Sequence, residues 1–171
     1  MPTPDTHSSA AAFAPAGGSP VDHASQAPGR PTGIDPRGPR VGAGVTATLL
    51  AGVLLLGDGP GGRLLLALVT ALFATGVVLG PARSVLGRAY AVLVAPRLAP
   101  ATEREDPRPP RFAQTVGLVI AGAGLALALL GVPGALVVAA AMAFAAAFLN
   151  AAFGLCLGCE LYLVIARWRG R

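Results

Sequence analysis

The chain has 171 residues, of which 54% are hydrophobic and only 12% charged, and its mean hydropathy is +0.66; a soluble domain usually carries about 25% charged residues. Its net charge of +5 comes without a basic helix interleaved with aromatics and without any nucleic-acid-binding module, which excludes nucleic acid as the partner. All thirteen basic residues are arginine, and membrane topology accounts for them.

Residues 1–40 are rich in Pro, Gly, Ser, Ala and Thr. Such a segment cannot bury enough apolar surface to offset its chain entropy, so a disordered cytoplasmic tail is expected. It has neither the basic start nor the continuous apolar core of a secretory signal.

Residues 41–171 are expected to form a four-span membrane domain. The first span covers about 41–57 and ends at Asp58-Gly59-Pro60-Gly61-Gly62-Arg63, which reads as a turn. The second covers about 64–80 and stops at Pro81. After a long loop the third covers about 113–130, Gly131-Val132-Pro133-Gly134 makes the next turn, and the fourth runs from about 135 through 152. No residue from Phe112 through Cys159 is charged. Helices of a soluble bundle keep a polar face toward water, and 118–130 and 135–149 have none. The expected fold class is all-α: an integral membrane four-helix bundle built from two tandem helical hairpins with interfacial exit helices. Its first partner is the lipid bilayer.

Every arginine except Arg63 falls on one side of the four-span arrangement. The positive-inside rule therefore puts both termini in the cytoplasm, as expected of a multi-pass protein of the bacterial inner (plasma) membrane.

The hairpins resemble each other in sequence. Asp35-Pro36-Arg37-Gly38-Pro39-Arg40 precedes the first span, and Asp106-Pro107-Arg108-Pro109-Pro110-Arg111 precedes the third, an offset of 71 residues (35 to 106). Phe73-Ala74 matches Phe144-Ala145 at the same offset, and Tyr90 matches Tyr162 one residue later. Two repeats are expected, 35–98 and 106–168, with the same orientation and an axis along the membrane normal. The boxes read as helix starts and headgroup anchors. Residues 84–98 and 161–168 are expected as interfacial exit helices. The small residues Ala139, Ala143 and Ala147 are expected to pack helix on helix, and Asn150 to hydrogen-bond across helices.

One constellation points to chemistry. Cys156 and Cys159, the only cysteines, stand near where the first repeat has Val85 and Arg88. Residues i and i+3 share a helix face, and Glu160 joins it at i+4 from Cys156. Such a pair can close a disulfide. The span from Gly134 to Cys156 is about 33 Å of helix, which places the pair near the cytoplasmic interface. If Gly154 breaks the helix, the new helix's N-terminus acidifies the thiol; if it does not, apolar surroundings and Glu160 do the opposite. Two thiolates and a carboxylate fall short of the usual four zinc ligands, and the residues imply no cofactor. The candidate catalytic residues are therefore Cys156, Cys159 and Glu160. Two functional readings stand: thiol-disulfide exchange or sulfur relay through the pair, and a non-catalytic scaffold or small transporter subunit, alone or as a homo-oligomer, in which the cysteines only pack.

The run from Asp106 to Gln114, with Asn150-Ala-Ala-Phe-Gly-Leu-Cys-Leu-Gly-Cys-Glu160, resembles the uncharacterised bacterial membrane-protein family DUF4395, a domain of unknown function. The resemblance covers the chain from about Asp35 onward. It implies no established activity. By association it implies thiol or sulfur metabolism and a cytosolic thioredoxin-like or sulfurtransferase partner.

Overall fold

Four helices are long and apolar enough to cross a membrane: α1 (Arg37–Leu56), α2 (Pro60–Leu79), α4 (Arg108–Leu129) and α5 (Ala135–Phe153). Between the pairs lies a short helix, α3 (Val85–Ala89), which runs on through a π-helical turn at Tyr90–Val94 and a 3-10 turn at Ala95–Arg97. The last helix is α6 (Leu157–Trp168). These elements come from a computed structural model that describes residues 33–170. Most of the expected tail, residues 1–32, lies outside the described residues.

The spans begin earlier than the apolar runs suggest, and proline is the reason. Pro60 occupies the first turn of α2, and Pro109 and Pro110 the first turn of α4, where a missing N–H leaves no helical bond unmade. The turn after α1 is therefore only Gly57-Asp58-Gly59. It is tight: Gly62 packs so closely on the Gly57 carbonyl that any Cβ there would collide with it. In each Asp-Pro-Arg box the aspartate holds the helix start. Asp35 Oδ1 accepts the Arg37 N–H and Asp106 Oδ1 accepts the Arg108 N–H, both at 2.9 Å.

Helix α1 packs on α2 and α5, and α4 packs on the same two, which leaves α1 and α4 diagonally opposed. The two ends of this square are tied differently. At one end Asp58 Oδ2 accepts the Gly134 N–H at 3.0 Å, joining the two hairpin turns. At the other end Ile34 and Glu105 form an antiparallel bridge, each donating its N–H to the other's carbonyl at 3.0 Å.

The arginines of the boxes do more than mark topology. Arg40 donates to the Ala152 carbonyl at 3.3 Å, one residue before the end of α5. Arg111 donates to the carbonyls of Val77, at 2.8 Å, and Val78, one residue before the end of α2. The last carbonyls of a helix have no partner within it, and each box supplies one to the other hairpin.

The dense core lies in the half of the bundle away from the boxes. Leu50 and Val53 on α1, Leu66 and Val69 on α2, Ala121 and Ala128 on α4, and Leu136, Ala140 and Ala143 on α5 form one buried cluster. Small residues allow the close approach that lipid-embedded helices rely on: a Cβ at Gly124 would collide with Ala139. Outward-facing apolar side chains such as Leu55, Leu64 and Val78 are exposed, as a lipid-facing surface requires.

Both exit segments are helical. The first runs over residues 85–97, close to the expected 84–98, but passes from α-helical to π-helical to 3-10 turns. The second is a full helix of 12 residues with Leu161, Val164 and Trp168 exposed.

The cross-hairpin capping makes a direct prediction. Arg111→Ala leaves two terminal carbonyls of α2 without their donor and should cost about 1–3 kcal/mol, read as a lower midpoint of thermal unfolding in detergent. Arg83→Ala, at an arginine whose side chain makes no hydrogen bond among the described residues, should leave that midpoint nearly unchanged.

Candidate functional site: the Cys156–Cys159 pair

Gly154 decides the local geometry. Its φ of +72° ends α5, a left-handed conformation that glycine adopts without steric cost. The Gly154 N–H donates to the Asn150 carbonyl and the Leu155 N–H to the Leu149 carbonyl, so the helix end is closed in the manner of a glycine C-cap. Three residues later, at Leu157, the chain is helical again. Of the two possibilities left open by the sequence, the broken helix is the one observed.

Cys156 is the N-cap of α6. Its backbone is extended and its Sγ accepts the Cys159 N–H at 3.4 Å. The two cysteines are joined as a disulfide with their Cα atoms 5.2 Å apart, inside the usual range of about 4.4–6.8 Å. Glu160 follows in the first turn, exposed, its N–H donating to the Cys156 carbonyl at 3.0 Å. An acidic side chain in the first turn also favours the helix dipole.

The same cap appears in the first exit segment with different chemistry. Ser84 is the N-cap of α3, and its hydroxyl accepts the Gly87 N–H at 3.0 Å. Matched by their caps, Cys156 stands where the first segment has Ser84, and Cys159 where it has Gly87. The expected match with Val85 and Arg88 is thus off by one residue. The tyrosines keep the cap register but not the environment. Tyr90 is buried and donates to Asp35 Oδ2 at 2.7 Å; burial, reinforced by the neighbouring Asp35 carboxylate, raises its phenol pKa. Tyr162 instead lies against Phe112, ring centroids 5.7 Å apart.

Gly158, between the cysteines, serves close packing. A Cβ there would lie 2.6 Å from the Ala113 Cβ on α4. At the matching place in the first segment the sizes are exchanged: Leu86 sits against Gly42 on α1, 3.7 Å from where a Cβ would be.

The disulfide opens on a cleft of about 470 Å3 lined by Arg40, Glu105, Asp106, Asn150, Cys156, Cys159 and Glu160 among others. Arg40 comes close to the Gly154 turn, its guanidinium carbon 3.5 Å from where a Cβ would be. The structure therefore brings all three sequence-predicted site residues to one cleft, together with an arginine and two acids that sequence reading did not assign to it.

Residues 34–167 match the family described as Domain of unknown function (DUF4395). The chain belongs to this family. Neither a curated protein nor a solved structure matches it.

Beside the cleft, this DUF4395 member has a half-open chamber of about 110 Å3 between α1, α4, α5 and the start of α6. Asn150 and Cys156 line both spaces. The Asn150 side chain makes no hydrogen bond among the described residues, so the expected bond across helices is not formed; it faces a hollow instead. A second surface hollow, of about 450 Å3, lies at the first exit segment beside Ser84 and Tyr90. Pro39 and Pro110, one from each box, line all three spaces. Among the described residues no three His, Cys, Asp or Glu side chains converge as metal ligands.

The packing at Gly158 is testable. Gly158→Leu should lever α6 away from α4 at a cost of about 1–3 kcal/mol, the usual range for overpacking, measured as a lower thermal midpoint in detergent. Gly61→Ala, whose Cβ meets only the Leu56 side chain at 3.6 Å, should be tolerated.

Proposed function

We propose that this protein is a thiol-active membrane protein in which Cys156 and Cys159 form a dithiol–disulfide couple serving a cytosolic partner. The observation that supports this reading is the placement of the pair at the N-terminus of a twelve-residue helix, on an open cleft with Arg40 on its wall. A helix N-terminus and a nearby cation both favour the thiolate, the reactive form of cysteine. A buried packing role would not require the pair to face a cleft.

In the forward step a partner carrying two thiols reduces the disulfide. A partner thiolate attacks one sulfur, the Cys156–Cys159 bond breaks, and a mixed disulfide forms. The partner's second thiol then displaces the chain's sulfur and closes the partner's own disulfide. Two electrons move from partner to chain, and two protons accompany them to Cys156 and Cys159. Glu160 is the proton relay on the solvent side of the cleft. The reverse sequence oxidises a partner, and a thioredoxin-like protein has the required dithiol.

The arginine distribution supports an orientation with both termini and the cleft in the cytoplasm of the bacterial inner membrane. There a stable structural brace is disfavoured, and a disulfide is a working couple.

Two measurements bear on this. Thiol trapping in intact cells should find the pair partly reduced, and the ratio should move with the cellular thiol state; a pair that never becomes alkylatable would sink the redox reading. Reporters fused after Gly61 and after Arg171 should read as outside and inside respectively, and the opposite result would put the cleft on the wrong side for a cytosolic partner.

A further inference from the structure

The half-open chamber is unusual in its walls. Of the threonines in the spanning helices, Thr48, Thr70, Thr75 and Thr115 each donate to a carbonyl three or four residues back. Thr46 does not, although it is only 5% exposed, and it lines the chamber. Gln114 and Asn150 line it too, and neither amide makes a side-chain hydrogen bond among the described residues. Gln114 reaches its place because residue 76 is glycine: a Cβ there would lie 2.8 Å from the amide. Thr46 is about 14 Å along α1 from its first residue, well inside the apolar layer.

Polar groups at that depth are costly unless satisfied. Among the described residues only Asp58 Oδ1 is a buried side-chain polar atom without a partner, so the three that line this hollow are met by solvent there. The volume limits what else enters. A cavity of about 150 Å3 just accommodates benzene, so about 110 Å3 does not admit a ring. A cavity needs only about 10–15 Å3 on this measure to hold one water, and the water needs two to four polar partners. Water meets both conditions.

We propose that the chamber is a hydrated pocket that solvates the Cys156 thiolate and exchanges its proton, whereas Cys159 exchanges its proton through the cleft. This inference rests on the dithiol reading above. Cys156 lines both the chamber and the cleft, whereas Cys159 lines only the cleft. When the S–S bond is cleaved, the sulfur of Cys156 leaves as a thiolate and takes its proton from the chamber water. Thr46, Gln114 and Asn150 are positioning residues: they hold the water that hydrogen-bonds the sulfur. The charged groups around Cys156 are Arg40 from α1, Glu105 and Asp106 from the segment before α4, and Glu160 from α6. None of them lines the chamber, so its effect on Cys156 is separable from theirs.

The test is the alkylation rate of each cysteine against pH, read by peptide mass spectrometry on reduced full-length protein in lipid nanodiscs. Thr46→Val keeps the shape and removes the hydroxyl; Asn150→Leu removes the amide. In both, the apparent pKa of Cys156 should rise and its alkylation near neutral pH should slow by about tenfold, the effect of one pKa unit, while the Cys159 profile stays in place. Equal shifts at both cysteines, or no shift at Cys156 in the folded Thr46→Val protein, overturn the hydrated pocket. The outcome is independent of trapping in cells. A pair that never cycles in cells but shows the Cys156-specific shift refutes the dithiol function alone. A pair that cycles but shows no shift refutes the chamber alone.

Discussion

The terminal carbonyls of a membrane helix constrain this fold more than any other single interaction. They cannot be left bare in an apolar layer, and water reaches them only at the edge. Here α2 and α5 have their ends closed by guanidinium groups that arrive from the opposite hairpin, Arg111 onto Val77 and Val78 and Arg40 onto Ala152. The closure fixes the end of α5, and the end of α5 fixes Gly154, the turn from which α6 starts. The disulfide therefore inherits its position from an arginine more than a hundred residues away in the chain. That arginine also stands on the wall of the cleft, so one side chain shapes the site and contributes to its charge.

The bundle is graded along its axis. Toward the Asp58–Gly134 end Leu, Val and Ala form the buried core. Toward the boxes the helices carry Gly42, Ala43, Gly117, Ala146 and Ala147, which line the half-open chamber. Prolines at the first turns add width there, since two of them, Pro39 and Pro110, border every hollow. The firm half holds the buried core, and the looser half holds the cleft and the chamber.

Much of this was legible in the residues. Long uncharged runs gave the four spans, because nothing but lipid can solvate them. The start of α2 differs from expectation because Pro60 reads as a breaker within a turn; the same residue type is favoured at a first turn, and local sequence does not say which role it has. Gly154 was ambiguous for the same kind of reason: glycine permits a left-handed turn without compelling it. The match between the exit segments shifts by a residue because the helices and turns of the two hairpins differ in length, so that Ser84 and not Val85 corresponds to Cys156 in the caps. The partnering of Arg40 and Arg111, the role of Gly158 against Ala113, and the chamber behind Asn150 depend on which helices become neighbours. No spacing along the chain encodes that directly.

The exchange of arginines has a consequence for biogenesis. While the chain is being threaded into the bilayer, α2 is complete some thirty residues before Arg111 exists, and the donor for its last carbonyls has yet to be made. Arg40 waits longer still, since its acceptor is at Ala152. The first hairpin is thus held as an unfinished half, with its lipid-facing end open to water or headgroups, until the second hairpin arrives to seal it. These two closures form only once both hairpins are present.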